Sequence, residues 1–549
     1  MRRTLLLWTA LAAATVGCDT QTDTTVTFEL YTADGQDDLL TTQGPADSIE
    51  LVVRDASGKT STALVDIGDR GAKVTGLPFG RGFRLFARGF NVADEQNIVH
   101  FYGASAPFDV TEGVEARVSV QLGQAECVGL NRASPRFRSA DGKDDLNGLR
   151  VGMTATTLRD GRVLVAGGAQ VDAQGDVIAA IDTLEIYDPA RSDFQLLPFK
   201  MTQARAYHTA TLLDSGHVLL VGGITRVQPE AVPVSTAEVI SLDDLVQPVR
   251  ELPLGIAVDA RSMHQATRLE DGGGSVLFSG GFGADGAALA TTFRFFPGPG
   301  GDPFQGTWRA QGDMHIPRAW HTGSMVRRSN ELAVVAGGVT TDGSATDSVE
   351  VFTVNSNPAQ RGCVGDARPS AEQGCFIQPL GGRLGEARWG HSAVEIDGGR
   401  QVVFVGGYAS ADRSQTANGL EILRADDLSV QHGGTTGALV NGRGELSTTL
   451  LDDGTIVAIG GRRFDTPLAA SSRLRPIAQA DANGGTRVGG YEVVELEAGC
   501  GLSEPRYGVV STRLQSGTVL MLGGVTGRRP GELVASRRAE IYFPRVNQL

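Results

Sequence analysis

The sequence is poor in the residues that metal and nucleic-acid chemistry require. It has five cysteines and eight histidines in 549 residues, and neither a Cys-x-x-Cys motif nor a His-rich spacing supports a zinc site. Its formal net charge of −14 argues against a nucleic-acid partner. Beyond the first residues, no segment approaches the ~18 apolar residues of a membrane span. Helical periodicities are few, whereas 73 glycines indicate an all-β chain with many turns.

The segment 1–18 has the pattern of an export leader. Two arginines precede an apolar run over 5–16 that is too short to span a bilayer. The run ends in Thr-Val-Gly-Cys18, which resembles the bacterial lipobox, and this resemblance implies that Cys18 carries a lipid. Residues 19–25 are polar and fit a short tether. We therefore expect a lipid anchor in a bacterial cell envelope, at the outer membrane or cell surface rather than the inner membrane. A plain signal peptide with an incidental cysteine is the alternative.

The cysteine count is consistent with export. Without Cys18 an even number of four remains, which suits disulfides in an oxidising compartment. Cys363 and Cys375 share one loop, so we predict that they pair. Cys127 and Cys500 would then pair across the chain.

Residues 26–124 contain about seven short segments in which apolar and polar residues alternate, separated by Gly, Asp and Pro turns. This pattern predicts a β-sandwich of roughly 100 residues. The stretch 76–90, GLPFGRGFRLFARGF, resembles a strand of prealbumin-like and immunoglobulin-like bacterial modules. Such modules act as spacers or adhesion modules, and a spacer is the expectation here.

From about residue 135 the chain repeats. An apolar run ending in two glycines occurs seven times at fairly regular intervals. Each run predicts a buried strand, and the paired glycines predict a tight turn against neighbouring backbone. The pairs are Gly167-Gly168, Gly222-Gly223, Gly280-Gly281, Gly337-Gly338, Gly406-Gly407, Gly460-Gly461 and Gly523-Gly524.

An arginine precedes each glycine pair at a nearly constant distance and opens a first strand. These arginines are Arg150, Arg205, Arg261, Arg318, Arg388, Arg443 and Arg506. Three residues later, four copies have histidine: His208, His264, His321 and His391. After the glycines come a variable loop, a third strand with glutamate at one position in six of seven copies, and a weaker fourth strand. Arg294 is the exception at the glutamate position. Four strands in units of about 55 residues are typical of a β-propeller blade.

These residues resemble the kelch family, whose propellers include the central domain of galactose oxidase. The best matches are the segments 205–223 and 184–194. The resemblance implies a seven-bladed propeller over 125–549. Because the last unit lacks a fourth strand, we expect residues 135–139 to complete it and close the ring, with the Cys127–Cys500 disulfide stapling the closure.

The repeated Arg and Glu are expected to pair with each other or with backbone carbonyls between blades. Histidines that ring the axis as metal ligands are the alternative, but one per unit is too widely spaced for one tetrahedral site. We assign no catalytic residue, metal or cofactor. Non-repeated loops are better candidates for function, over 169–183, 355–383 and 462–489. The last is a candidate binding loop for an acidic glycan, lipid headgroup or partner, with Arg462, Arg463, Arg473, Arg475 and Arg487.

Two functional hypotheses follow. The favoured one is an envelope lipoprotein whose propeller is a scaffold that binds protein or carbohydrate. The alternative is a periplasmic carbohydrate-active enzyme, epimerase-like or oxidase-like, that uses the central mouth. A unique cluster of carboxylates or tyrosines near the axis would favour the second, and a flat face built from loops would favour the first.

Overall fold

The structure is a computed structural model. It describes residues 25–33, 39, 45–66, 71–75, 77–91, 98–132, 143–226, 231–244, 246–253, 259–327, 331–354, 363, 373–379, 381–432, 435–436, 439, 442–480, 486–497 and 499–545. The leader, Cys18 and the tether lie outside the described residues, as do residues 135–139 and most of 355–383. None of the helices in the described part of the chain has the length and apolarity needed to cross a membrane.

The N-terminal region is a single barrel-like β-sheet. Its strand order is β3-β2-β5-β6-β8-β1-β4, with β7 paired to β5, and its inner face encloses one apolar core. The sandwich expected here stays a prediction, because pairing between β6 and β8 joins all eight strands. The strands are β1 Thr25–Thr32, β2 Ser48–Arg54, β3 Thr60–Asp66, β4 Gly71–Thr75, β5 Gly80–Phe90, β6 Val99–Ala104, β7 Phe108–Val110 and β8 Ala116–Gln124.

The rest of the described chain forms seven sheets, here called sheets 1 to 7, and three smaller sheets of two or three strands. The first strand is β9 Cys127–Leu130, and sheet 1 with its hairpin follows: β10 Thr154–Thr157, β11 Val163–Ala166, β12 Ala169–Val171, β13 Val177–Ala180, β14 Thr183–Asp188 and β15 Asp193–Lys200. Sheet 2 consists of β16 Thr209–Leu212, β17 Val218–Val221, β18 Ala237–Ile240 and β19 Val249–Leu252. Sheet 3 consists of β20 Gln265–Arg268, β21 Val276–Ser279, β22 Thr292–Phe296 and β23 Thr307–Ala310. Two short 3-10 helices, Pro299–Gly301 and Pro303–Gln305, lie in the connection between β22 and β23.

The second half continues in the same way. Sheet 4 consists of β24 Thr322–Met325, β25 Glu331–Ala336, β26 Val349–Thr353 and β27 Cys375–Ile377, and sheet 5 of β28 Ser392–Ile396, β29 Gln401–Val405, β30 Glu421–Arg424 and β31 Val430–His432. Sheet 6 with a hairpin consists of β32 Thr435–Thr436, β33 Ser447–Leu450, β34 Ile456–Ile459, β35 Arg462–Arg463, β36 Thr466–Pro467, β37 Ser471–Ala480 and β38 Thr486–Glu495. The last strands are β39 Arg506–Tyr507, β40 Val510–Arg513, β41 Val519–Leu522, β42 Val525–Thr526, β43 Val534–Ala535 and β44 Ala539–Phe543. Sheet 7 is β40-β41-β44-β9. All pairs in sheets 1 to 7 are antiparallel except the parallel pair of β32 and β38 in sheet 6.

The seven sheets follow one another in a closed cycle. The first strand of each sheet contacts the first strand of the next, and β40 of sheet 7 contacts β10 of sheet 1. Apolar side chains fill the space between neighbours. One such cluster joins Val163 and Val165 of sheet 1 to Leu520, Leu522 and Ile541 of sheet 7, so the last sheet packs on the first through a continuous core.

The paired glycines connect each sheet to the next, as the sequence predicted. The N–H of the second glycine donates to the carbonyl of the next repeat's arginine, at 2.8 to 3.2 Å in all seven repeats. A Cβ on Gly167 would lie 2.3 Å from the Arg205 oxygen, and its φ is +60°. Gly524 donates to the carbonyl of Arg150 and closes the cycle. Only glycine combines a left-handed conformation with so close a backbone approach.

The repeated arginine and glutamate form a buried clamp inside each repeat. Arg318 donates to the Gly337 carbonyl at 2.8 Å and to the Glu350 carboxylate at 2.6 Å, and both side chains are fully buried. Glu350 also accepts the backbone N–H groups of His315 and Ile316. Equivalent ion pairs are Arg150–Glu185, Arg205–Glu238, Arg388–Glu421 and Arg506–Glu540. In these five repeats the repeated Arg and Glu pair with each other as expected, but the contact lies within one repeat and not between two.

Two repeats depart from the clamp. In sheet 3, Arg294 replaces glutamate and pairs with Asp271, and Arg261 lies 3.8 Å from Asp259. In sheet 6 the third strand is β37, not the predicted segment 491–496, which belongs to the fourth strand. There Arg443 donates to Ser472 Oγ at 2.8 Å.

The missing fourth strand of sheet 7 comes from upstream, but not from the expected residues. Strand β9 pairs with β44, with Cys127 opposite Phe543 and Leu130 opposite Glu540. The prediction that 135–139 fills this position is therefore wrong. Cys127 and Cys500 lie within disulfide distance, with their Cα atoms 4.3 Å apart, and so do Cys363 and Cys375 at 5.6 Å.

The N-terminal sheet packs against the closing sheets 7 and 1. Tyr102 donates its hydroxyl hydrogen to the Ser516 carbonyl at 3.0 Å, and Arg84 donates to the Gln515 carbonyl at 2.7 Å. The aromatic ring of Phe543 lies where a Cβ on Gly123 would be. These contacts fix the N-terminal sheet on the side of the cycle where the turns between first and second strands lie.

Candidate functional site

The five arginines of the candidate binding loop do not form one loop. Arg473 and Arg475 lie on β37, and Arg487 lies on the paired strand β38. The expected loop over 462–489 is largely a long hairpin, because nine residue pairs connect these two strands. Arg462 and Arg463 lie in the short strand β35, at the opposite end of the sheet.

A different set of seven residues surrounds the axis of the cycle. Each lies two positions after the repeated arginine, and we call the set the axial ring. Its members are Gly152, Tyr207, Met263, Trp320, Gly390, Glu445 and Gly508. Successive members are joined by six backbone hydrogen bonds of 2.6 to 3.3 Å, from Tyr207 N–H to Gly152 carbonyl and onward to Gly508 N–H and Glu445 carbonyl.

All seven backbones of the axial ring are left-handed. The glycines have φ between +59° and +63°, a conformation that suits them. Tyr207, Met263, Trp320 and Glu445 hold φ of +51° to +54°. A side chain there costs about 1–2 kcal/mol, and such strain gathers at functional sites. Four large side chains therefore stand at the axis in a backbone position that glycine would occupy more easily.

A cavity of about 500 Å³, here called the mouth, is lined by the four members of the axial ring that are not glycine. That volume falls in the range of about 300–1,000 Å³ that small-molecule sites occupy. The loops after the glycine pairs form its wall, including the loop 169–183 named from the sequence. Besides ring residues, the side chains lining the mouth include Asp176, Arg413, Arg462, Asp465 and Tyr507.

Glu445 is held by a polar network. Its carboxylate forms an ion pair with Arg462, whose side chain is 8% exposed against 7% for Glu445, and it accepts the Tyr408 hydroxyl at 3.2 Å. The Arg462 guanidinium lies 4.0 Å from the ring centre of Tyr507. Burial alone would lower the pKa of Arg462, but the charge of Glu445 raises it above its usual value. Burial raises the pKa of Tyr507 to about 12. Around neutral pH the Arg462 guanidinium is therefore charged and the Tyr507 phenol is protonated.

Aromatic side chains form one side of the mouth. The rings of Tyr207 and Trp320 are 5.6 Å apart, Trp320 and Trp389 are 6.4 Å apart, and Trp389 and Tyr408 are 4.8 Å apart. Arg413 lies 5.4 Å above Trp389. Of these rings, Tyr207 and Trp320 line the mouth, and so does Tyr507. The rings of Trp389 and Tyr408 are buried beside them and do not line the cavity.

A second cavity of about 290 Å³ lies on the other side of the axial ring. His208, His264, His321 and His391 contribute to its wall. The Nε2 atom of each is within 3.1 Å of a hydroxyl group on the preceding repeat, for example Thr209 for His264. Burial lowers the pKa of His264 to about 3, so the rings are neutral. In the described residues no group of three or more His, Cys, Asp or Glu is placed to hold a metal ion.

The sequence interpretation missed the axial ring. The repeated Arg and His are the recognisable pattern in the sequence, whereas the ring residue lies between them and differs among repeats. A signal was present, because glycine fills this position in three repeats and thereby indicates a left-handed backbone. Aligning the repeats on the arginine would have shown Tyr207, Met263, Trp320 and Glu445 as substitutions at a glycine position.

No protein-family model matches this chain, and no curated protein matches it. Among solved structures it is similar to one titled "Structure of YjhT". The two share 12% identity with a TM-score of 0.41, and the match covers 64% of this chain and 99% of that chain. At these values the likeness supports no conclusion about function, so functional inference depends on the site itself.

Proposed function

We propose that residues 125–549 form a seven-bladed propeller of the kelch type and that its mouth binds a carbohydrate. The seven sheets, their cyclic contacts and the Arg–Glu–Gly-Gly interlock support the propeller. The N-terminal barrel-like sheet serves as a spacer. This function keeps the binding role predicted from the sequence and moves it from the variable outer loops to the axis.

The observation that carries the proposal is the axial ring. Structural needs alone would favour glycine at all seven positions, as in Gly152, Gly390 and Gly508. Four repeats instead accept strain to place a tyrosine, a methionine, a tryptophan and a glutamate at the axis. These four side chains are all different, which a repeated packing role does not explain.

The chemistry of the mouth suits a sugar. Aromatic faces such as those of Trp320 and Tyr207 pack against the apolar C–H face of a pyranose, and a charged pair such as Arg462 and Glu445 donates to and accepts from its hydroxyl groups. Because each charge already has a protein partner, neither is left buried and uncompensated when the mouth is empty.

The cellular setting is part of the same proposal. A lipid on Cys18 would hold the protein to the envelope membrane, with the N-terminal sheet between that anchor and the ring. The contacts of Tyr102 and Arg84 with the turn at Gln515 and Ser516 support a mouth that faces away from the anchored end, since that turn is at the opposite end of the strand from Gly523.

A glycan array followed by calorimetry tests the binding function. With a sugar found on the array, Trp320→Gly and Tyr207→Gly should each weaken binding about tenfold or more, since one lost stacking contact is worth about 0.5–1.5 kcal/mol beyond its area burial. Phe79→Ala, on the exposed surface of the N-terminal sheet, is the matched control and should bind like the original chain. An array without specific binding, or unchanged affinity in both glycine variants, would refute a sugar-binding mouth.

A carbohydrate-active enzyme is the second candidate, and the cluster of Glu445, Tyr408 and Tyr507 near the axis is the observation that favours it. The ion pair with Arg462 favours a recognition role for Glu445, because a paired carboxylate is a weak proton donor at neutral pH. Turnover of a bound sugar that is lost in Glu445→Gln, while the sugar still binds, would establish the enzyme.

A further inference from the structure

A second charged cavity lies far from the mouth, where β9 enters sheet 7. Its centre is Glu126, the residue directly before the disulfide cysteine Cys127. Three arginines converge on this one carboxylate, and we call them with Glu126 the outer basic cluster. Arg473 forms an ion pair with it, Arg545 lies 3.2 Å away and Arg475 lies 3.7 Å away. The cavity measures about 370 Å³.

The charges of the cluster do not balance. Besides Glu126, the other carboxylate lining the cavity is Asp453, whose Oδ1 accepts the Thr455 N–H at 2.9 Å within its own turn. The charge of Glu497 also acts on Arg473, from outside the lining. Among the residues that line the cavity, three guanidinium groups thus face two carboxylates, in a chain whose formal net charge is −14. An excess of positive charge at a partly buried site is unfavourable unless an anion joins it.

Arg473 is the group that most requires a partner. Its side chain is only 10% exposed, and within the described residues its Nε atom has no hydrogen-bond acceptor. Burial lowers its pKa, Tyr542 acts in the opposite direction, and the charges of Arg475 and Arg545 lower it further. Arg475 and Arg545 remain 46% and 35% exposed, so a ligand can reach the cluster from solvent.

From this geometry we propose that the outer basic cluster binds a phosphate group. Arg473 and Arg475 lie on one strand, and Arg545 follows β44. Three planar guanidinium groups that meet at one carboxylate suit a tetrahedral oxyanion, which offers acceptor oxygens in several directions. The cavity exceeds the size of one ion, so the phosphate can belong to a larger molecule. Glu126 then acts as an internal counter-ion that competes with the ligand. This inference is independent of the proposed sugar-binding mouth, since it shares no residue with it.

Calorimetry on the full chain in mild detergent at low salt tests the site. The probes are inorganic phosphate and the soluble lipid dihexanoylphosphatidylglycerol, which separate a free ion from a lipid headgroup as the source. Arg475→Gln and Arg545→Gln should each weaken binding about tenfold, the effect of one lost charged hydrogen bond. Arg529→Gln is the control, since Arg529 is highly exposed and pairs with Glu532 instead.

Glu126→Gln should have the opposite effect on phosphate affinity from the two arginine variants. Removing the internal counter-ion should tighten phosphate binding and increase the thermal stabilisation by phosphate. Binding of either probe that follows this order of variants supports the site, and the probe that binds more tightly identifies the source. The inference is overturned if neither probe binds the original chain or Glu126→Gln, or if the two arginine variants bind like the original.

Discussion

Two positions in every repeat, separated by one residue, follow opposite rules. The repeated arginine has the same identity in all seven repeats, and its guanidinium is directed at carbonyls of its own sheet. The axial residue shares one backbone conformation in all seven, yet its side chain changes from glycine to tryptophan. A side chain that is the same in all seven repeats indicates a structural role in packing. Side chains that differ among repeats although the strained backbone conformation is the same indicate a candidate binding site.

The largest effect should come from breaking a clamp. Arg205→Met leaves Glu238 buried without its counter-ion, and both side chains are fully buried. Losing one partner of such a pair costs about 3–5 kcal/mol in the free energy of unfolding. Urea denaturation measures it, and the double variant Arg205→Met with Glu238→Gln should recover part of the loss. Equal stability of both variants would mean that the stranded charge is not the cause.

The next effect concerns the glycine pair. Gly167→Ala places a Cβ 2.3 Å from the Arg205 carbonyl oxygen at a φ of +60°. We expect a loss of about 1–2 kcal/mol from the left-handed backbone and about 1–3 more from the clash. Gly216→Ala is the matched control, since its φ is +87° and no atom lies within 4 Å. If the two variants unfold at the same urea concentration, the close approach between repeats does not matter.

The buried histidines predict a loss of stability in acid. The pKa of His264 is about 3 in the folded chain and about 6.5 when unfolded, so its contribution is complete above pH ~6.5 and is lost as the pH falls toward 3. Each such histidine adds up to about 1.4 kcal/mol per pH unit to the slope. His264→Leu, which copies Leu446 of the sixth repeat, should lower the slope between pH 6 and 4 by that amount. Unfolding curves at several pH values measure the slope, and an unchanged slope contradicts the prediction.

The smallest effect on stability is expected at the axis. Met263→Gly relieves the left-handed strain but loses side-chain packing, so the free energy of unfolding should change by less than about 1 kcal/mol. The reciprocal variant Gly390→Ala should lose about 1 kcal/mol, because its φ is +59° and its Cβ would meet neighbours only at 3.5 Å. Large destabilisation by Met263→Gly would show that the axial side chains hold the ring together.

The repeating features could be predicted because each one recurs with its own spacing. The roles of the glycine pairs, and of the Arg–Glu pair in five repeats, followed from their regular distances. The third strand of sheet 6 could not be placed, because Ser472 stands where glutamate is expected and Glu492 of the next strand imitates it. A strand of four residues such as β9 carries too little pattern to be recognised, so its position was assigned to 135–139.

The site was harder to predict than the fold for a physical reason. Side chains at the mouth differ from one repeat to the next, so no period in the sequence reveals them. Glu445 and Arg462 lie before and after strand β34, and only the turn of β34 into β35 brings them into contact. The polar residues of this network look like ordinary surface residues until the backbone around the axis is known.

The pairing of β9 with β44 also constrains how the molecule is made. The two strands come from opposite ends of the cycle, and the Cys127–Cys500 pair has a sequence separation of 373. In a chain that leaves the ribosome or crosses a membrane amino end first, β9 has no partner strand in sheet 7 until β44 arrives. The outermost strand of the assembly is thus placed last, and a chain truncated before Ala539 would leave both sheet edges without their partners.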